Sequence, residues 1–132
     1  MQIHVQAVSP FEAAPEFSQC IDPDGRDTPD EMARAGKCFK VSASGCAVFM
    51  SIGSQAGQMW CFAAAARQGS RGMADVALHF LEHAARVTGH ATAGFQTARM
   101  GLVRRAQRRG WEIVKHIGRD WKTVGWVLEK KV

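Results

Sequence analysis

The stretch Arg67-Gln68-Gly69-Ser70-Arg71-Gly72-Met73-Ala74 connects an apolar run, residues 59–66, to an amphipathic helical pattern, residues 73–88. A basic, glycine-containing turn from a strand into a helix exposes backbone N–H groups and the positive end of the helix dipole. Proteins bind phosphate groups in this way. The residues of the turn leave two interpretations open: a phosphate site, or an ordinary turn whose glycines only relieve backbone strain.

The length and charge of the chain predict one domain, residues 1–132, with a net charge of +5. Residues 1–66 hold four basic and seven acidic residues, so the positive excess lies in the second half. Four arginines, at 104, 105, 108 and 109, could form a nucleic-acid surface, but no aromatic residues lie among them. The pattern favours a solvated helix face over nucleic-acid binding.

The cysteines and the apolar segments predict an intracellular protein without metal. None of Cys20, Cys38, Cys46 and Cys61 forms a C-x-x-C pair, which favours free thiols in a reducing compartment. No signal peptide is recognisable, and no window approaches the roughly 18 apolar residues that span a bilayer. The Asp-rich segment 22–27 lacks the glycine and glutamate spacing of a calcium loop, so it predicts a turn.

Hydrophobic periodicity predicts an α/β chain of the α+β kind, with the order β-α-α-β-β-β-α-β-α-β-β. The middle three strands are expected to form an antiparallel meander with a tight turn at Ser44-Gly45 and a looser one over residues 53–57. The predicted elements are a strand at 2–8, short helices starting at Pro10 and Pro29, strands between 38 and 66, a helix at 73–88, a strand at 91–96, a helix at 98–109 capped by Thr97, and strands from 111 and over 121–128.

The long helix is expected to bury one face and expose the other. Its polar face carries Asp75, His79, Glu82, His83 and Arg86. The two histidines are four residues apart, a spacing that could bind metal, but no recognisable set of further ligands completes them, so a solvated face is favoured. The tryptophans Trp60, Trp111, Trp121 and Trp126 fall in predicted strands and are expected to pack in the core or on a strand face.

The element order and the turn resemble the GNAT family of N-acetyltransferases. Gly72-Met73-Ala74 matches the second half of the family signature at the start of the long helix, and Gln68 fits its first position with one additional residue in the turn. Arg108-Arg109-Gly110-Trp111 resembles the end of the family's last helix. The resemblance implies a mixed, splayed sheet that binds acyl-CoA between its fourth and fifth strands.

The resemblance also implies where acetyl-CoA or another acyl-CoA would bind as cosubstrate. The turn would hold the pyrophosphate, and the edge of the fourth strand would pair with the pantetheine arm. The candidate binding residues are Ala64, Ala65, Ala66, Arg67, Gln68, Gly69, Ser70, Arg71, Gly72, Met73 and Ala74. Its partner would be an amine acceptor or another protein, and homo-oligomers remain open.

The catalytic residues are unknown from the sequence. Many family members use a tyrosine in the last helix as the acid, but the chain contains no tyrosine and Ala106 stands at that position. Cys61 is a candidate acid or acyl acceptor, although a core thiol is the favoured interpretation. Glu112 and His116 are candidate bases, although surface strand residues are favoured. The expectation is a candidate N-acyltransferase with an atypical active site.

A further local similarity points to phage and prophage GNAT-like proteins, some of which are virion components. It rests on Gly72-Met73-Ala74 together with Phe95-Gln96-Thr97 and Gly101-Leu102. This similarity implies an alternative function as a non-enzymatic structural or scaffold protein that retains the fold. The expected location is the cytoplasm, or the host cytoplasm or virion if the protein is phage-encoded.

Overall fold

The computed structural model describes residues 2–20, 27–66 and 72–132. Its strands and helices follow the predicted order, with a short 3₁₀ helix added after the first α-helix. They are β1 (His4–Val8), α1 (Pro10–Ala13), the 3₁₀ helix (Ala14–Gln19), α2 (Pro29–Ala35), β2 (Lys37–Ala43), β3 (Cys46–Gln55), β4 (Gln58–Ala66), α3 (Met73–Val87), β5 (Thr92–Thr97), α4 (Met100–Arg108), β6 (Glu112–Arg119) and β7 (Lys122–Lys131).

All seven strands form one sheet in the order β1-β2-β3-β4-β5-β7-β6. Every neighbouring pair is antiparallel except β4 and β5, which are parallel. Helix α3 makes the crossover between these two strands, as a parallel connection requires. The mixed α+β fold predicted from the sequence is therefore confirmed.

The strands β4 and β5 separate soon after they meet. They pair at only three positions, Met59 with Ala93, Trp60 with Gly94 and Cys61 with Phe95. On the other side of β4, Ile52 pairs with Cys61 but Ser51 pairs with Ala63, so Phe62 is the extra residue of a β-bulge. A bulge bends its strand and increases the local twist. The bulge therefore lies where β4 turns away from β5.

The helices cover the two faces of the sheet unequally. The larger buried cluster includes residues of α3 and α4, among them Leu81 and Val103, with Leu128 of β7. The smaller cluster joins Phe17 of the 3₁₀ helix and residues of α2 to Ala63 and Ala65 on β4. Because Cys61 belongs to the larger cluster and Ala63 to the smaller, the two faces of the sheet at β4 are covered by different helices.

The short helices begin as their sequences predict. The Oγ of Ser9 accepts a hydrogen bond from the N–H of Glu12 at 3.1 Å, and the Oγ1 of Thr28 accepts one from Glu31 at 3.2 Å. Each cap is followed by a proline, whose missing N–H costs nothing in the first turn. The helix that starts at Pro10 stays short, because the chain continues as the 3₁₀ helix Ala14–Gln19, which contains Pro15.

Three local predictions are wrong. The second hairpin turn is as tight as the first, because Ala56 and Gly57 both adopt left-handed angles (φ 51° and 79°) and pairing continues to Gln55 with Gln58. Thr97 is not a helix cap: α4 begins at Met100, and the Thr97 hydroxyl accepts from the Arg99 N–H at the end of β5. Trp121 is a fully exposed turn residue with φ 65°, so it packs neither in the core nor on a strand face.

The prediction for the polar face of α3 is wrong at one residue. Glu82 is 3% exposed, because its carboxylate accepts hydrogen bonds from three side chains at 3.0–3.2 Å. Its partners are Arg109, Trp111 and Lys130. In the described part of the chain, no helix is long and apolar enough to cross a membrane.

Candidate functional site

A cleft of about 850 Å³ opens where β4 and β5 separate. Five of the predicted binding residues line it: Ala64, Ala65, Ala66, Met73 and Ala74. Gly72 lies beside it, in a smaller neighbouring pocket that also includes Met73. The predicted residues Arg67, Gln68, Gly69, Ser70 and Arg71 lie outside the described residues. The structure thus brings the described part of the predicted site together at one cleft.

The edge of β4 that faces this cleft has no strand partner beyond Cys61 among the described residues. On its other edge, Ala64, Ala65 and Ala66 pair with β3. One backbone oxygen of this segment is engaged by a side chain, since the Cys20 thiol donates to the Ala64 oxygen at 3.4 Å. Alanine side chains leave room for a ligand to approach the backbone closely. The open edge can therefore accept an extended, amide-containing ligand.

The start of α3 forms the end of the cleft nearest to the predicted phosphate turn. Gly72 has φ +76°, and a Cβ built there would meet nothing within 4 Å. Because Gly72 offers no side chain to cap the helix, N–H groups of the first turn stay available to an anion. The acidic residue of that turn, Asp75, is paired with Arg105 of α4 at 3.1 Å.

Helix α4 supplies the opposite wall of the cleft through Gly101, Leu102 and Arg105. Ala106, which stands where the resemblance implies a tyrosine, is fully buried in the core and does not line the cleft. The residues of α4 that face the cleft are therefore unable to replace a tyrosine hydroxyl, since their side chains are a hydrogen, an alkyl group and a guanidinium.

The thiol of Cys61 is unsuited to proton transfer. It lines the cleft but is buried, and burial raises its pKa to about 12, with a further increase from Cys20 and a partial offset from the hydrogen bond to Ala63. An acid of that pKa is weaker than an ordinary thiol, so it cannot readily protonate a departing thiolate. The interpretation of Cys61 as a core residue is the one that its burial supports.

The remaining candidate catalytic and metal residues lie outside the cleft, with the exception of Asp27. Glu112 and His116 are exposed on β6 and do not line the cleft. His79 has a pKa below its ordinary value, chiefly through burial and then through the Arg109 charge. The described residues contain no group of three or more potential ligands that could hold a metal ion. Of segment 22–27, only Asp27 is among the described residues, and it lines the cleft.

Two features of the cleft have no signal in the sequence. Gln19 and Cys20, at the end of the 3₁₀ helix, contact both walls: the Gln19 oxygen accepts from Arg99 Nη2 at 3.2 Å, and Cys20 donates to Ala64. These contacts join residues 80 and 44 positions apart in the chain. Only the tertiary structure reveals them, because neither residue belongs to a motif.

Solved structures of acetyltransferases share this fold over almost the whole chain. An IAA acetyltransferase from Bacillus cereus aligns with a TM-score of 0.74 and 11% identity, covering 99% of this chain and all of the other. A Bacillus subtilis acetyltransferase in complex with CoA gives 0.67 and 13%, covering 99% of both chains. A GNAT family acetyltransferase from Elizabethkingia anophelis with acetyl-CoA bound gives 0.67 and 10%, covering 98% of both.

Sequence comparison adds nothing to this structural similarity. No protein-family model matches the sequence, and no curated protein is detectably similar to it. The similarity to phage and prophage proteins finds no support among the three structures named above. At these identities, structural similarity establishes the fold and leaves the activity to be argued from the site. The chain has the GNAT acetyltransferase fold.

Proposed function

We propose that this protein binds acyl-CoA in the cleft between β4 and β5 and transfers the acyl group to an amine. The observation that carries the proposal is the separation of the two parallel strands directly beside the uncapped start of α3. An open strand edge and a helix N-terminus offer the two kinds of backbone contact that a pantetheine arm and a pyrophosphate need. Two structures with the same fold contain CoA or acetyl-CoA.

The residues around the cleft fit this ligand. The N–H groups of Gly72, Met73 and Ala74 would bind the pyrophosphate together with the predicted turn residues 67–71. The Ala64–Ala66 edge would align the pantetheine amides, which directs the acyl end towards Cys61 and Phe95, where the strands meet. When bound, the cosubstrate supplies an activated thioester.

The contribution of the chain to catalysis is then mainly positioning. Holding the thioester and the amine together reduces the entropic cost of their encounter. Without a tyrosine in the chain and with Cys61 too weak an acid, we place no side chain in the role of proton donor. Whether transfer occurs, or the protein only retains the fold as a non-enzymatic scaffold, is decided by assaying acetyl transfer directly.

Binding is tested by the thermal stability of the protein with acetyl-CoA and by two variants of Gly72. A ligand at a hundredfold excess over its Kd stabilises the folded state by about 2.7 kcal/mol. Gly72→Asp should abolish the resulting shift in Tm, because a carboxylate at the helix start repels the pyrophosphate. Gly72→Asn is the matched control: it has the same size and tolerance of positive φ but no charge, and it should keep most of the shift.

Two results would contradict the binding proposal. One is the absence of any Tm shift in the wild-type protein with millimolar acetyl-CoA. The other is an equal shift in the wild-type protein and in Gly72→Asp, which would place the ligand elsewhere. Release of free CoA in the presence of amines then separates an acyltransferase from a protein that only binds the cosubstrate.

A further inference from the structure

Arg99 is a cation in the cleft without an acidic partner in residues 2–20, 27–66 and 72–132. It directly precedes α4, lines the cleft and is exposed. Its Nη2 donates to the backbone oxygen of Gln19 at 3.2 Å, and no ion pair joins it to a carboxylate of the described residues. The other described cation of the cleft, Arg105, is paired with Asp75 at 3.1 Å.

The contact with Gln19 determines on which side of the cleft the guanidinium lies. Gln19 ends the 3₁₀ helix, whose Phe17 packs with Ala63 and Ala65 on the sheet face opposite α3. Helix α3, whose first turn belongs to the proposed pyrophosphate site, packs on the other face. Arg99 is therefore held on the side away from the proposed pyrophosphate site, where an acceptor can approach the acyl group without displacing the cosubstrate.

Among the described residues, no carboxylate lies within ion-pair distance of the Arg99 guanidinium, although Asp27 also lines the cleft. The first turn of α4 contains no acidic residue, so the positive end of the helix adds to the guanidinium charge. The neighbouring Cys20 thiol stays neutral at physiological pH, because burial raises its pKa more than Ala64 and Arg99 lower it. An arginine carries five N–H donors in a planar fork that matches carboxylate and phosphate oxygens.

We infer that Arg99 determines acceptor specificity by binding an anionic group, so that the acceptor is an amine that also carries a carboxylate or a phosphate. This inference rests on the proposed acyltransferase function. It assigns Arg99 a contact with the acceptor and no part in proton transfer. The amine would lie towards the point where β4 and β5 meet, and the anionic group would lie at the open end of the cleft beside α4.

The test compares acceptors that differ only in the anionic group. α-Amino acids are compared with their α-amides, and phosphoethanolamine with ethanolamine, by the release of free CoA from acetyl-CoA. The wild-type protein should prefer the anionic member of at least one pair by tenfold or more in kcat/KM, since only the anionic group can accept charge-assisted hydrogen bonds from the guanidinium. The pair that shows the preference distinguishes a carboxylate from a phosphate.

The matched variants are Arg99→Gln and Arg108→Gln. Arg108 is exposed at the C-terminal end of α4 and does not line the cleft, whereas Arg99 directly precedes α4, so each variant removes one exposed positive charge from residues 99–108. Arg99→Gln should raise KM for the anionic acceptor at least tenfold with a smaller change in kcat, and it should keep the Tm shift with acetyl-CoA. Arg108→Gln should match the wild-type protein in KM, kcat and Tm shift.

The outcomes separate this inference from the proposed function. If the wild-type protein shows no Tm shift with acetyl-CoA, the proposed function fails and the inference fails with it. If the shift is present and neutral amines are acetylated as well as the anionic ones or in their place, only the inference is overturned. If the shift is present but no amine is acetylated, the transfer step of the proposed function fails and the inference fails with it. If Arg99→Gln loses the acetyl-CoA shift instead, the guanidinium contacts the cosubstrate and the inference is again overturned.

Discussion

Two residues shape the point where β4 and β5 meet. Gly94 of β5 leaves space for the Trp60 ring, since a Cβ there would lie 2.8 Å from two ring atoms. Cys61, the last residue of β4 that pairs with β5, directs its side chain into the larger buried cluster. Neither side chain is a reactive group: that of Gly94 is a hydrogen, and the thiol of Cys61 is made unreactive by burial. Both act by determining how closely the two strands approach.

Alkylation should discriminate sharply between Cys61 and the half-buried thiols. The thiolate is the reactive form, and burial raises the pKa of Cys61 to about 12, so its thiolate is scarce at neutral pH. Peptide mapping by mass spectrometry after iodoacetamide treatment of the native protein should find Cys46 modified well before Cys61. Denaturant serves as the control, because it should equalise the two rates. Modification of Cys61 as fast as Cys46 in the native protein would show that the cleft leaves its thiol accessible.

At the scale of elements, the turn of the β3–β4 hairpin holds Ala56 in a left-handed backbone conformation that is unfavourable for alanine. Ala56 has φ 51°, a conformation that costs an alanine roughly 1 kcal/mol and that asparagine adopts more readily. Ala56→Asn creates the Asn-Gly pair preferred in two-residue hairpin turns and should increase the free energy of unfolding by about 0.5–1 kcal/mol. Urea denaturation measures the change. An unchanged or lower stability would contradict the left-handed geometry of this turn.

A buried ionic cluster connects α3 to α4 and β7. The carboxylate of Glu82 accepts from Nε and Nη2 of Arg109, from the indole of Trp111 and from Nζ of Lys130. Burial raises the pKa of Glu82, but these hydrogen bonds and the Arg109 charge together lower it by more than burial raises it. The pKa of Glu82 therefore lies below its ordinary value of 4.5. The cluster therefore stabilises the fold only while Glu82 is ionised.

Glu82→Gln should destabilise the protein by up to about 3 kcal/mol near neutral pH, because it leaves the half-buried cations of Arg109 and Lys130 without an anionic partner. Since the folded-state pKa is lowered, the stabilisation is complete above 4.5 and is lost as the pH falls through the folded-state value. The difference from the wild-type protein in urea denaturation should thus narrow in acid. The control is Asp30→Asn, which breaks an exposed 2.9 Å pair with Arg34 and should cost at most about 1 kcal/mol. Equal losses in the two variants would contradict the stabilising role of the cluster.

At the scale of the whole molecule, the sheet consists of two antiparallel parts joined by three residue pairs between β4 and β5. A ligand that pairs with the open edge of β4 adds contacts where the sheet has none. Hydrogen exchange should therefore slow in residues 62–66 when acetyl-CoA binds, whereas exchange in β6, remote from the cleft, should not change. Slowing confined to β6, or no slowing at all, would contradict the proposed binding mode.

The arginines of residues 104–109 do not form a continuous surface of free positive charge, because some of them pair with carboxylates of α3. Arg105 pairs with Asp75 of α3, and Arg109 binds Glu82, so two of the four arginines in residues 104–109 are engaged within the protein. The sequence interpretation disfavoured nucleic acid for another reason, the absence of aromatic residues among these arginines. The two pairings join residues 30 and 27 positions apart in the chain, so no local pattern shows them.

The sequence by itself determined the elements and their order. Proline after a serine or threonine cap, glycine at turns and the spacing of apolar residues are local signals, and they predicted the start of α1 and α2, the meander and the long helix α3. The same signals failed at two turns, Ala56-Gly57 and Asp120-Trp121, where the local sequence does not fix how many residues belong to the turn. The pairing between the flanking strands determines that number.

Only the tertiary structure decided which residues share the cleft. The separation of β4 from β5, the approach of Gln19 and Cys20 to both walls and the burial of Glu82 depend on contacts between residues 27 to 80 positions apart. The local sequence around a charged residue of a helix does not show which distant residue it will contact in the folded protein. The sequence therefore predicted a phosphate-binding turn, and the packing of distant elements placed Arg99 in the cleft, where we propose that an acceptor approaches.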